Sequence, residues 1–294
     1  MSVATPGGGW AVAAAAHVRQ RASGGSLDPT LRVTLNFHPD RRTNGRSVVE
    51  HLATDGRYRN QFETGTSSGG LTAHPGGSRW LWEHRIFGGA YDDAPAHERP
   101  KYGALNHRRR SLGGAPRFGS AHLRLAGHLL DRTTFCFPDS VLEPSDFATH
   151  DRFALLPLTE AFDARTPTET EERELLGLLD DYIEAHVHGP VLIPDDVEAL
   201  VLDPSHRGTP IETSAQDLGV PVEWHEGRVL HVDELVRHPN YRGARPIEVG
   251  LRVAVGGLLT AAIVGRASNA ENEDPQDLKK VWHHVARFGQ PSGT

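Results

Sequence analysis

Cysteine occurs once in this chain of 294 residues, at Cys136. A lone thiol excludes an intrachain disulfide and a cysteine-rich metal site, and gives no positive vote for secretion. Its apolar neighbours would raise its pKa, which argues against a nucleophile. Positive charge is also in deficit: 31 Lys and Arg stand against 38 Asp and Glu, for a net charge of -7. That balance excludes a general nucleic-acid footprint and leaves room for a local basic groove. Long apolar runs are missing as well. Residues 10–18 are too short to span a bilayer and lack a basic region before them, and the apolar stretch 247–265 is interrupted by Glu248, Arg252 and four glycines. There is no P-loop, no paired dinucleotide glycine signature, no G-x-S-x-G elbow, no HExxH and no internal repeat. These absences lead us to expect no membrane partner and no strong nucleic-acid signature. The expected location is cytoplasmic, or outside the cell by a non-classical route.

What is present suits a folded α+β chain. The apolar set is 37%, and the 31 glycines bring it near the usual globular share. A chain of this length buries roughly 75% of its extended surface. Leu31 to Phe37 alternates apolar and polar residues, as does the second half of Arg117 to Leu125, while Thr133 to Phe137 and Val197 to Leu202 are strong strand formers. Helices are expected near 10–22, at 48–54, and after Thr166, where Pro167 and Glu169 complete a start signal ahead of Leu175, Leu176, Leu178 and Leu179. Tyr58 to Ala73 should be short extended pieces. Residues 80–91 carry Trp80, Trp82, Phe87 and Tyr91, which suit a pocket wall or ordinary core. The basic run 108–110 with Leu112-Gly113-Gly114 reads as an exposed turn, and 138–167 as a long connection or lid. The expected architecture is a mixed or antiparallel sheet core with peripheral helices. We expect an N-terminal helical extension over 1–28, one α+β domain over 29–265, and a polar linker with a short helix over 266–294.

The most informative stretch is 180–204. A helical run delivers the chain to a short strand on which Glu184, His186 and His188 alternate with Ala185 and Val187, so one carboxylate and two imidazoles share a face. Gly189-Pro190 stops that strand. Two histidines spaced in this way permit a metal site, with His38, His74 or His122 as a third ligand and Glu184 as general base of a metal-dependent hydrolase. A noncatalytic interaction module built on the aromatic 80–91 region is a third possibility.

The runs VTLNFHPDR (33–41), DGRYRNQFETGTSSGGLTA (55–73), FGGAYD (87–92), KYGALN (101–106), PRFGSAHLRL (116–125) and EAHVHGPV (184–191) occur in order. Together, over roughly residues 30–245, they resemble a bacterial family of domains of unknown function. More distantly the organisation is similar to that of ADP-ribosyltransferases, whose fold uses a first-strand Arg or His near NAD, a second-strand Ser-Thr-Ser element and a late-strand Glu. That resemblance implies NAD as substrate. It assigns Glu184, His186 and His38 to catalysis, and Arg32, Arg41, Thr66, Ser67 and Ser68 to NAD binding. Here Thr-Ser-Ser stands for Ser-Thr-Ser, and His186 occupies the place of a second acid found in several arginine-modifying members. The implied reaction is cleavage of the nicotinamide-ribose bond, with transfer to water or to a macromolecular or small-molecule acceptor. A toxin or effector role follows only loosely.

Overall fold

The computed structural model describes residues 8–65, 72–164 and 179–293. Its centre is an eight-stranded sheet. In chain order the strands are β1 (Val33–Phe37), β2 (Lys101–Leu105), β3 (Ala121–Leu125), β4 (Thr133–Phe137), β5 (Asp146–Thr149), β6 (Ile183–Val187), β7 (Val197–Leu202) and β8 (Val222–Trp224). In space they run β8-β7-β3-β1-β2-β6-β4-β5. Every neighbouring pair is antiparallel except β7 and β8, which are parallel. The sheet is open, with β8 and β5 as its edges, and the fold is α+β with peripheral helices.

The longer helices are α1 (Gly9–Arg21), α2 (Val48–Asp55), α3 (Ser78–Phe87), α4 (Leu156–Ala164), α5 (Pro210–Gln216), α6 (Arg245–Val253), α7 (Ala261–Asn269) and α8 (Pro275–Phe288). Local chemistry sets several of their ends. Ser47 and Glu50 form a reciprocal capping box on α2, and Gly56 closes it in the left-handed region at φ 62°. Asp274 accepts from the amides of Gln276 and Asp277 to start α8, with Pro275 in its first turn.

Pairing register sorts the sheet into two unlike faces. On one, Leu35, Leu105, Leu123, Phe135, Ile183, Val187 and Leu200 are fully buried and join Val49 and Leu52 of α2 and Ala215 of α5 in the main core. Each such leucine or phenylalanine contributes about 1.5–3 kcal/mol through burial. The opposite face is polar and also buried: Thr34, Thr134, Glu184, His186 and His188 are each at most 6% exposed. Helices α1 and α3 cover its β4–β5 end, where Ala14, Val18, Ile86, Phe87 and Tyr91 pack with Cys136 and Phe147. Helices α6, α7 and α8 build a second cluster around Trp282 and Val281, which Leu179 joins. Among the described residues no helix is long and apolar enough to cross a membrane.

Three expectations are corrected. Gln61–Thr64, within the stretch expected to be extended, is a short helix, because Asn60 and Glu63 form a reciprocal capping box and Gly65 closes it at φ 62°. The 138–167 region carries β5 and α4 rather than one uninterrupted connection, since Phe147 and Ala148 pair across to Cys136 and Phe135. Residues 112–115 are buried and not an exposed turn, because the Asn36 amide donates to the Leu112 carbonyl at 2.9 Å and the Gly114 amide donates to Thr34 Oγ at 2.8 Å. The helix expected after Thr166 lies outside the described residues up to Leu179.

Gly119 lies against the end of β1. A Cβ there would stand 2.0 Å from the Phe37 carbonyl carbon, whereas at Gly25 it would meet nothing within 4 Å. Gly119→Ala should therefore lower unfolding free energy by about 2–3 kcal/mol through forced overpacking, while Gly25→Ala should stay within about 0.5 kcal/mol of wild type. Chemical denaturation of the two variants measures both, and equal effects would contradict the close approach.

Candidate functional site

The β1–β2 ladder is only two residue pairs long, Val33 with Leu105 and Thr34 with Ala104. Beyond it β1 stays paired to β3 as far as Phe37, and β2 stays paired to β6 back to Lys101. The sheet parts between Leu35–Phe37 and Lys101–Gly103. A cavity of about 280 Å³ is lined by residues from both sides of the parting: Asn36, His38 and Arg41 from β1 and the turn after it, Tyr102 from β2, and Glu184 from β6.

Glu184 is held from both oxygens. Oε1 accepts from His186 Nε2 at 2.9 Å, and Oε2 accepts from the Ser140 hydroxyl at 3.1 Å and the Ser140 amide at 3.3 Å. Burial opposes its charge, but the His186 hydrogen bond and field, the Arg79 charge and the Ser140 hydroxyl outweigh it, and the carboxyl lies below its ordinary value of 4.5. Asp139 moves the other way, raised by burial and then by the charge of Glu184, while Tyr182 Oη donates to its Oδ2 at 2.5 Å. Of these two carboxyl groups, Glu184 is the one whose hydrogen bonds and neighbouring charge favour the anion.

Register explains the company Glu184 keeps. Cys136 pairs with Glu184 and Thr134 with His186 across β4 and β6, so all four project to the polar face. Thr134 Oγ lies 3.2 Å from His186 Nδ1 and 3.0 Å from His188 Nε2. His188 Nδ1 meets Tyr91 Oη at 2.7 Å, and burial followed by the neighbouring His186 pulls its pKa down to about 3. Phe87 of α3 sets its ring edge-on to both histidines. Cys136 Sγ is 3.9 Å from His186 Nε2. Ligand atoms of Cys136, Glu184 and His186 all lie within 4.8 Å of one another.

The other expected residues divide. His38 lines the cavity, edge-on to Trp282 at 5.3 Å between ring centroids. Burial and then the charge of Arg41 hold its pKa down at about 3, so it is a neutral imidazole at neutral pH. Arg41 lines the same cavity. Arg32 does not: its Nε donates to Glu198 at 2.7 Å and its Nη1 to the Pro29 and Leu31 carbonyls. Strict alternation from Leu31 places Arg32 on the polar face, but it precedes β1 and turns toward β7. Thr66, Ser67 and Ser68 lie outside the described residues, although Thr64 just before them lines the cavity.

Four contributors are not legible from spacing. Ser140 and Asp139 sit in a turn after β4 with no periodic signal. Tyr102 is visible only as one residue of a short extended run; its hydroxyl donates to Glu83 at 3.0 Å. Arg79 lines the cavity with its guanidinium 4.2 Å above the Tyr102 ring. Its Nε and Nη1 are buried with no hydrogen-bond partner among the described residues.

The depressed Glu184 carboxyl has a consequence for stability. Between its ordinary value of 4.5 and its lower folded value the unfolded chain binds the proton more readily, so the contribution is complete above about pH 4.5 and is lost as pH falls through the folded value. Glu184→Gln should flatten the fall in unfolding free energy between about pH 5 and 3, as read by denaturant melts. An unchanged slope would show that Glu184 is not held as an anion.

A family model described as "Protein of unknown function (DUF3626)" matches residues 32–171 and 156–288. The "Gene 2 protein" of Mycobacterium phage L5 is 29% identical over 186 residues, which cover 58% of this chain and 67% of the phage protein. The family match takes in β1 through α8, including every residue described around the cavity, and the chain belongs to the DUF3626 family.

Proposed function

We propose that the cleft binds NAD and breaks its nicotinamide-ribose bond, passing the ADP-ribosyl group to water or to an acceptor. The observation that carries this reading is a rigid, ionised Glu184 on a late strand, facing one cavity with His38 at the end of the first strand. As the C1′–N bond lengthens, its electron pair leaves with nicotinamide and positive charge grows on the ribose. A fixed carboxylate stabilises that charge more in the transition state than in the ground state, because its surroundings are already oriented. Ser140 and His186 supply that orientation. His38, as a neutral imidazole, is suited to a hydrogen bond with a ribose hydroxyl or the carboxamide, and Arg41 and Arg79 give the cavity cationic groups for the diphosphate. A nucleophile then bonds to C1′ and releases its proton. With water the products are ADP-ribose, nicotinamide and a proton.

A metal-dependent hydrolase is the second reading, and its donor atoms are already gathered. Cys136, Glu184 and His186 form a compact three-residue set of a kind zinc accepts. The ligand set would then differ from the His186/His188 pair, since Thr134 hydroxyl stands between those two rings. Of the three donors only Glu184 lines the cavity, and Cys136 and His186 are 0% exposed. A hydrolytic ion needs an open coordination position facing substrate, which is the reason we place this reading second.

One set of assays separates the two. Metal-free wild-type protein should release nicotinamide from NAD, and Glu184→Gln should lower that rate by at least about 100-fold, with Cys136→Ser nearly as active as wild type. Activity that requires stoichiometric zinc and disappears in Cys136→Ser would favour the hydrolase. Absence of both NAD turnover and metal binding would favour a noncatalytic module.

A further inference from the structure

A second cavity, of about 690 Å³, lies between the segment 239–244, Arg117 and the side of α8 that carries Gln276, Lys279, Lys280 and His283. It shares no lining residue with the first. Its walls carry Arg117, Arg242, Lys279, Lys280 and His283. Asp180, 4% exposed, draws the two arginines together: Arg117 Nη1 pairs with one of its oxygens and Arg242 Nη2 with the other at 2.7 Å. A single carboxylate thereby fixes two planar guanidinium groups side by side on one wall. Lys279 and Lys280 face them from α8, adjacent in sequence, with His283 one turn further on.

Two features point from this arrangement to a ligand. His283 is 2% exposed, and neither ring nitrogen has a hydrogen-bond partner among the described residues; Arg117 Nε is likewise buried and unpartnered. Buried polar groups in folded proteins are ordinarily satisfied, and these atoms are closed off from solvent, so they show a wall that is rich in donors and short of acceptors. The charges are also crowded against one another. Burial, then the charges of Arg117 and Arg242, bring the Lys279 pKa down to about 8, and an anion in the cavity would act against that shift.

We propose that this second cavity is a binding site for the diphosphate group of a small phosphorylated molecule, with the arginine pair gripping one phosphoryl group and the two lysines the other. Two guanidinium groups offer bidentate donors to phosphoryl oxygens, and the lysines act as point charges. The volume exceeds what one phosphate needs. Because the two cavities share no lining residue, the site stands or falls independently of NAD chemistry in the cleft.

The test uses the full chain with inorganic pyrophosphate and inorganic phosphate as probes, in isothermal titration calorimetry at fixed ionic strength. Wild-type protein should bind pyrophosphate saturably and phosphate more weakly. Lys279→Ala/Lys280→Ala should weaken pyrophosphate at least about tenfold, and Lys280→Ala alone should weaken it by a smaller factor. Arg237→Ala/Arg245→Ala, which removes the same charge from exposed surface, should leave it within about twofold. Thermal melts without anion check that each variant folds. No saturable binding, unchanged binding in the double lysine variant, or equal loss in the exposed-arginine variant would overturn the proposal.

Discussion

The molecule depends on where one strand pair stops. β1 and β2 hold together for only two residue pairs, and past that point each belongs to its other neighbour. A backbone ladder satisfies its polar groups as it runs, so a parting between two well-paired halves opens a cleft without leaving long edges unpaired. Gly103 stands at the parting, where a Cβ would come 2.5 Å from the Thr34 carbonyl oxygen. The close crossing at Thr34 and the space beyond it are therefore two aspects of one geometry. Segment 112–115 caps the polar face of β1 beside the gap, and Gly119 lets the chain return against Phe37.

Everything chemical in the cleft follows from having a polar sheet face under cover. A buried carboxylate is costly unless hydrogen bonds and opposite charge offset the loss of water. Glu184 meets that condition through His186, Ser140 and Arg79, while Asp139 beside it takes up the opposite tendency and rises. The histidines behind Glu184 have the same logic: Thr134 bridges His186 and His188, Tyr91 fixes the far nitrogen of His188, and Phe87 packs against both rings. His186 orients the acid from behind. His188 is one step further from the cavity and supports His186.

Periodic features are the ones legible in the amino-acid sequence. Leu35 and Phe37 alternate with Asn36, so the period of two identifies that strand and its buried side, while Thr133 to Phe137 is legible through its β-propensity. The shared face of Glu184, His186 and His188 is legible for the same reason. Partnership across strands is not, because pairing of Cys136 with Glu184 joins residues 48 apart in sequence, and nothing local encodes it. Helix α3 is obscured by its aromatics, whose helical spacing competes with the β-propensity of Trp and Phe. Arg32 has the position of a cleft residue by number and is instead an ion-pair partner of Glu198, since its direction is set by the bend before β1. Arg79 reaches the cavity from a helix start, and Ser140 and Asp139 reach Glu184 and Tyr182 from a turn, where no repeat announces a side chain's aim. The basic second cavity is foreshadowed only as a local exception that an acidic chain can hold.

The central claim is that the cleft between the parted strands is an NAD site organised around a charged Glu184. Its most direct test is a crystal structure of the Glu184→Gln protein soaked with NAD, with anomalous data collected at the zinc edge from wild-type crystals. The account predicts the nicotinamide ribose in the parting, between His38 and residue 184, and no zinc peak beside Cys136 and His186. NAD absent from the cleft, together with a zinc peak bounded by Cys136, Glu184 and His186, would contradict it.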